Sequence, residues 1–178
     1  MDSINKNQPE RNYEDLSSTE AIKKIKELIK SAETCFFSTT PLIGSSSGTR
    51  PMSVQKVDDN GDLWFLSAND SFKNEEIQAN PEVKLYFQGS AHSNFLYLQG
   101  IASITEDKNI IHELWEPILK VWFTEGENDP RISAIKVSPS SGYYWDNKHG
   151  DAIAGIKMLI GASIGKTLDD SIEGRIKP

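Results

Sequence analysis

Four apolar residues, Ile22, Ile25, Leu28 and Ile29, recur at intervals of one to three positions between Thr19 and Ser31. That spacing puts them on one face of a helix, which Ser17, Ser18 or Thr19 can cap and which ends near Ser31. Residues 34–40 then turn β-favouring, with Cys35, Phe36, Phe37, Thr39 and Thr40, and Pro41 stops the strand. A flexible turn follows over 44–48. Residues 50–57 alternate as one strand, with Met52, Val54 and Lys56 on one face and Ser53, Gln55 and Val57 on the other. Asp59-Asn60-Gly61 makes a hairpin turn into a strand over 63–67.

The second half repeats this mixture. Phe72, Glu76 and Ile77 mark a helix over 71–79, which Asn80-Pro81 terminates. Strands follow at 83–88 and 95–105, both rich in Tyr, Phe, Leu and Ile. A helical block over 108–121 is kinked or divided by Pro117. Two short strands, 132–137 and 142–145, are joined by Ser138-Pro139-Ser140-Ser141, and a helical tail closes the chain. Within that tail the apolar, glycine-interrupted stretch 152–164 predicts a surface-docked helix or a partner contact. Hairpins and antiparallel strands with helices at the corners predict an α+β fold built on a closed or partly split barrel, rather than a doubly wound parallel sheet. The reading is one domain over 15–165, first helix included, with a mobile N-terminal tail at 1–14 and a C-terminal tail at 166–178.

A chain of 178 residues can bury roughly 70% of the surface that its unfolded form exposes, enough for one core. Its net charge of −7 argues against affinity for a nucleic acid backbone, which cationic side chains must neutralise. An anionic ligand would need a local positive site. The single cysteine, Cys35, excludes an internal disulfide and fits a buried strand position better than a reactive thiol. The polar start lacks the apolar core of a signal peptide, and no stretch approaches the roughly 20 apolar residues of a membrane-spanning helix. A cytoplasmic protein without membrane or nucleic acid partners is expected.

The sequence holds no phosphate loop, no Gly-x-Gly-x-x-Gly fingerprint and no nucleophile elbow. His92, His112 and His149 lie in three separate segments, so no metal site is expected. One constellation does carry chemistry. In a meander, the helix over 71–79 starts beside the beginning of the strand over 50–57. Arg50 at that strand end, the Ser71 hydroxyl and Lys73 in the first helical turn can therefore converge where free backbone N–H groups already favour an anion. A phosphate monoester suits such a site; the alternative is an ordinary solvated Arg and Lys.

The runs Arg50-Pro51-Met52-Ser53-Val54-Gln55, Phe65-Leu66-Ser67 and Ser71-Phe72-Lys73-Asn74-Glu75-Glu76-Ile77-Gln78-Ala79-Asn80-Pro81 resemble segments of the pyridoxamine 5'-phosphate oxidase-like flavin-binding split barrels. Tyr97-Leu98-Gln99-Gly100-Ile101-Ala102, Trp122-Phe123 followed by Gly126, and the segment ending Tyr143-Tyr144-Trp145-Asp146 resemble the general stress protein 26 group within that superfamily. The likeness covers roughly residues 17–165. It implies a mainly antiparallel split β-barrel of Greek-key type with flanking helices. It also implies a homodimer with one flavin, FMN or else FAD, at each of two sites between the subunits. By position, Arg50, Ser71 and Lys73 would hold the phosphate, and Met52, Val54 and Gln55 would line the ribityl chain and ring edge. Phe65, Leu66 and Ser67 would add backbone and hydroxyl contacts. Trp122 and Trp145 would wall the ring from the partner subunit, ordinary core or dimer packing being the alternative for both.

Departures from the family narrow the reading. The true oxidases carry Ser-Arg-Lys where this chain has Ser71-Phe72-Lys73, and a lysine where it has Gln55. They end in an Arg-Leu-His-containing segment, where this chain has Tyr143-Tyr144-Trp145-Asp146 and a further extension. Pyridoxamine phosphate oxidation is therefore not expected. The resemblance leaves a flavin-binding protein of the general stress type, with weak oxidoreductase activity fed by NADH or NADPH as its catalytic form. The alternatives are a non-catalytic flavin-holding module, or the same fold carrying a deazaflavin or haem.

Overall fold

The structure is a computed structural model that describes residues 12–44, 48–91, 93–149 and 170–178. Helix α1 (Ser18–Ala32) buries Ala21, Ile25, Leu28 and Ile29, the face that its apolar spacing predicts. Strands β2 (Thr34–Ser38), β5 (Leu63–Ala68) and β6 (Glu82–Gln88) alternate buried and exposed residues, so each turns one face to the core. Within that core Phe37 meets Phe65 edge-on at 5.2 Å. Helix α2 (Phe72–Ala79) and strand β7 (Phe95–Thr105) fall where the sequence places them. Helix α3 (Lys108–Leu114) ends before Pro117, which opens a separate 3-10 turn, Pro117–Val121.

The ladder runs β3–β2–β6–β7–β8 and continues from β8 to β5 and β4. Here β3 (Thr49–Ser53) pairs with β2, β4 (Lys56–Val57) pairs with β5, and β8 is Ile132–Asn147. The single strand expected over 50–57 is thus two strands. At Val54 and Gln55 the chain leaves one ladder for the other: Val54 N–H donates to the Glu33 carbonyl, and Gln55 N–H to the Trp64 carbonyl, at 3.0 and 2.8 Å. The ring is therefore completed by chain continuity rather than by a β3–β4 ladder. That is a split barrel, and the split opens between β3 and the part of β5 beyond Trp64.

Two further expectations need correction. Residues 132–137 and 142–145 are not two strands but parts of β8, which runs on through 138–141. Pro139 is tolerated because the second edge of β8 changes partner there, from β5 to β9, while the β7 ladder slips one residue between Gln99 and Gly100. Gly100 is required at that slip, since a Cβ would lie 2.4 Å from the Ser138 carbonyl oxygen. The second correction concerns the C-terminus. Ser171–Lys177 form β9, antiparallel to β8 and parallel to β1 (Leu16–Ser17), inside the sheet rather than in a tail. Tyr13 also bridges to Glu173, so part of the segment read as an N-terminal tail is tied to the sheet. The expected helix over 152–164 and the turn residues 45–47 lie outside the described residues.

Candidate functional site

Helix α2 begins at the open side of the barrel. Ser71 holds the extended N-cap backbone (φ −83°, ψ 145°), and its Oγ accepts from the Asn74 N–H at 3.4 Å. The Asn74 amide is the hub of a buried network. Its oxygen accepts from the hydroxyls of Ser67 (2.9 Å) and Ser71 (3.2 Å), and its nitrogen donates to Ser133 Oγ at 2.7 Å. Ser133 in turn donates to the Ser67 carbonyl at 3.1 Å. These bonds fix the start of α2 against β5 and β8, and they draw the Ser67 and Ser71 hydroxyls inward.

Arg50, near the start of β3, reaches across to α2. Its Nη2 donates to Glu76 Oε2 at 2.8 Å and its Nη1 to Thr39 Oγ1 at 2.8 Å, while Thr39 Oγ1 donates to the same Glu76 oxygen at 2.5 Å. Glu76 is fully buried. Lys73 stands one turn earlier on α2, and a spacing of three residues puts both on one helix face. It is only 8% exposed, and among the described residues its ammonium makes no hydrogen bond or ion pair. Burial first, and then the nearby charge of Arg50, depress Lys73 to about 8, against the opposing influence of Glu76. Arg50 and Lys73 therefore share one electrostatic environment. An anion placed there would find a guanidinium, an ammonium without an ionic partner among the described residues, and the N-terminus of an eight-residue helix.

The remaining residues singled out in the sequence are distributed more widely. Met52 and Val54 pack their side chains against the main core. Phe65 is fully buried there, and Leu66 packs against the second core cluster beside Trp64. From these four, only backbone or partly buried surface is offered outward. Gln55 stands at the strand break and lines a groove of about 590 Å³ with Ser53, Val54, Ile29, Lys30 and Val57. Trp122 is 65% exposed beside Val121 and Ile118, both also exposed. Trp145 stacks on Tyr143 with ring centroids 4.6 Å apart, but the ladder from Arg50 through Phe37, Leu85 and Leu98 reaches β8 only at Gly142, four strands away. The structure thus brings Arg50 and Lys73 to the same buried Glu76 within one chain and leaves Trp145 four strands from Arg50, while the Trp122 carbonyl accepts from Arg131 at 3.4 Å.

Sequence reasoning overlooked Thr39, Asn74 and Glu76. For Glu76 a signal existed, because a carboxylate three residues after Lys73 must share its helix face. For Thr39 none did, since its role depends on β2 pairing with β3. A further feature belongs to the outer sheet face. Pro51, Phe36, Tyr86, Tyr97, Tyr143 and Arg175 are consecutive cross-strand partners over five strand pairs. Phe36 and Tyr86 are exposed, and the Tyr86 and Tyr97 rings lie 5.3 Å apart.

The family model described as pyridoxamine 5'-phosphate oxidase like matches residues 20–169. The chain belongs to that family. Among solved structures it is similar to a general stress protein 26 from Jannaschia sp. CCS1, with a TM-score of 0.74 at 20% identity over 88% of this chain and 97% of the other. It is also similar to a general stress FMN/FAD binding protein from Xanthomonas citri, with a TM-score of 0.58 at 20% identity over 68% of this chain and 85% of the other. Among curated proteins, Protein bli-3 of Neurospora crassa is 26% identical over 105 residues, 54% of this chain and 50% of that protein. The match thus spans about half the length of that curated relative.

Proposed function

We propose that this chain is a flavin-binding protein of the general stress type that holds FMN by its phosphate between Arg50 and Lys73. The observation that carries the reading is the largely buried Lys73 side chain, whose charge is felt together with that of Arg50, an arrangement that favours a phosphate group. A doubly negative monoester would supply the hydrogen-bond acceptors that Lys73 lacks among the described residues. From Arg50 to Ser53, which lines the groove with Gln55, β3 runs three residues, about 10 Å of extended chain. The ribityl chain would lie along the split, and the ring near Val54 and Gln55.

The Xanthomonas citri relative, described as an FMN/FAD binding protein, supports a flavin as the ligand and leaves FAD as a possible occupant. A bound flavin supplies redox chemistry at its ring, so the protein has only to bind, orient and tune it. Gln55, whose side-chain nitrogen lies 3.4 Å from the Ser53 carbonyl and whose backbone N–H donates to Trp64, would turn its amide to the ring edge. Phe72 where the oxidases carry arginine removes one phosphate ligand and weakens the hold on FMN, while Tyr143-Tyr144-Trp145-Asp146 in place of their Arg-Leu-His segment argues against pyridoxamine phosphate oxidation. A weak oxidoreductase activity with NADH or NADPH fits this arrangement, and stopped-flow reduction separates it from simple flavin holding.

The exposed aromatic row favours a second copy as its cover, which would make the protein a homodimer and bring the partner's Trp122 or Trp145 over the ring. The direct test is the absorption spectrum of the purified protein, followed by titration with FMN and riboflavin. FMN is expected to bind more tightly than riboflavin, which lacks the phosphate. Absence of flavin from the purified protein together with failure to bind added FMN refutes the reading.

A further inference from the structure

Arg50 and Lys73 would offer a phosphate two positive charges, but a third charge is built into the same place. Glu76 is fully buried, and its Oε2 takes a hydrogen bond from Arg50 at 2.8 Å and another from Thr39 at 2.5 Å. Thr39 also receives Arg50 Nη1, so two of the guanidinium's N–H bonds are committed to this triad. The charges felt at Lys73 are those of Arg50 and Glu76, opposite in sign. Together the three groups sum to one positive charge rather than two.

We infer that Glu76 is the specificity-determining residue of the phosphate site: by neutralising Arg50 it leaves Lys73 to carry the discrimination, and so limits the preference for a phosphorylated flavin over the unphosphorylated one. The inference rests on the flavin-phosphate reading above. Without Glu76 the burial of two neighbouring cations would be uncompensated in the ligand-free protein, so the carboxylate trades ligand affinity for a stable empty site. A second consequence concerns Arg50. Removing it alone leaves the ligand facing a buried carboxylate, whereas removing Arg50 and Glu76 together returns the site to the single charge of Lys73.

The test is the ratio of the riboflavin and FMN dissociation constants, measured by flavin fluorescence at pH 6.5, where Lys73 is protonated. In Glu76→Gln this ratio is expected to rise roughly tenfold over the parent, since one unit of negative charge beside a phosphate has been removed. A purely structural role would weaken both ligands alike and leave the ratio unmoved. An unchanged or smaller ratio overturns the inference while leaving the flavin-phosphate reading intact. Should Glu76→Gln not fold, the paired replacement Arg50→Met with Glu76→Met keeps the question open to decision, because it removes the buried ion pair whole. The double variant is expected to keep a ratio within about threefold of the parent, because the named charges still sum to one. Collapse of the double variant's ratio to one refutes the idea. A parent protein that binds both flavins equally removes the phosphate reading and this inference with it.

Discussion

The Arg50 guanidinium meets the fully buried Glu76 carboxylate at 2.8 Å, joining β3 to α2, the helix that follows β5. Arg50 is itself partly exposed, whereas Glu76 has no contact with solvent. Removing the cation therefore leaves an uncompensated charge in the interior, which typically costs about 3–5 kcal/mol. Arg50→Ala is expected to lower stability by about that amount in urea denaturation, whereas Arg50→Lys, which keeps the charge, should recover part of it. A loss under about 1 kcal/mol in Arg50→Ala would show that the pair is not buried as described.

Lys73 gives a pH signature. Its folded-state value, about 8, lies below the 10.5 of an unperturbed lysine, so between these values the unfolded chain binds more protons than the native one. Stability of the ligand-free protein should rise as the pH climbs from about 8 towards 10.5, and the cost of burying the charge is fully present below 8. Lys73→Met should abolish that rise and stabilise the ligand-free protein at pH 7 by roughly 1–3 kcal/mol. The same variant should bind FMN no better than riboflavin. Thermal melts from pH 6 to 10 check the first claim, and a parent whose Lys73-dependent stability falls over this window contradicts it.

Ser71 and Asn74 separate capping from ligand binding. The Ser71 hydroxyl is engaged with Asn74 as both donor and acceptor. Ser71→Ala should cost about 1 kcal/mol of stability through the lost cap. Its effect on the FMN-to-riboflavin ratio should be far smaller than that of Lys73→Met. Asn74→Ala opens the network that also holds Ser67 and Ser133, and should cost about 2–3 kcal/mol by leaving buried hydroxyls unpaired. If Ser71→Ala instead abolishes the preference for FMN with little loss of stability, its hydroxyl serves the ligand and not the helix.

Most of this fold was legible because local signals agreed with the final packing. The α1 stripe, the β6 and β7 strands and the helix after β5 each rest on residues close together in sequence. Arg50 and Lys73 could be placed together because a hairpin and a short helix fix their relation almost locally. What failed was non-local. Gly174 weakens β9 as a strand, and only the structure shows that a Cβ there would lie 1.8 Å from the Glu14 carbonyl oxygen. Pro139 argued for a break in β8, and nothing in the sequence says that its missing N–H falls where the strand changes partner. The division of 50–57 is likewise set by two separate ladders, not by its own alternation. Thr39 escaped for the same reason, its role depending on β2, β3 and α2 meeting in space, whereas Glu76 was marked by its place one turn after Lys73.

The outer sheet face makes the last prediction. Residues directly opposite on neighbouring strands project from the same face, so Phe36, Tyr86, Tyr97 and Tyr143 form a continuous aromatic row across four strands. Phe36 is 59% exposed and Tyr86 45%, large apolar surfaces for positions in the middle of a sheet. Aromatic rings arranged in this way suit the centre of a protein interface, where they bury much area at little conformational cost. A charge at the centre of such a contact would be desolvated and unpaired in both copies. Phe36→Glu is therefore expected to convert a dimer to monomers in sedimentation velocity while leaving the far-UV circular dichroism unchanged, because the side chain points away from the barrel core. If the flavin site is completed by the second copy, flavin affinity should fall in the same variant even though Arg50 and Lys73 are intact. A parent that sediments as a monomer at micromolar concentration, or a Phe36→Glu variant that remains dimeric, assigns the aromatic row some other role.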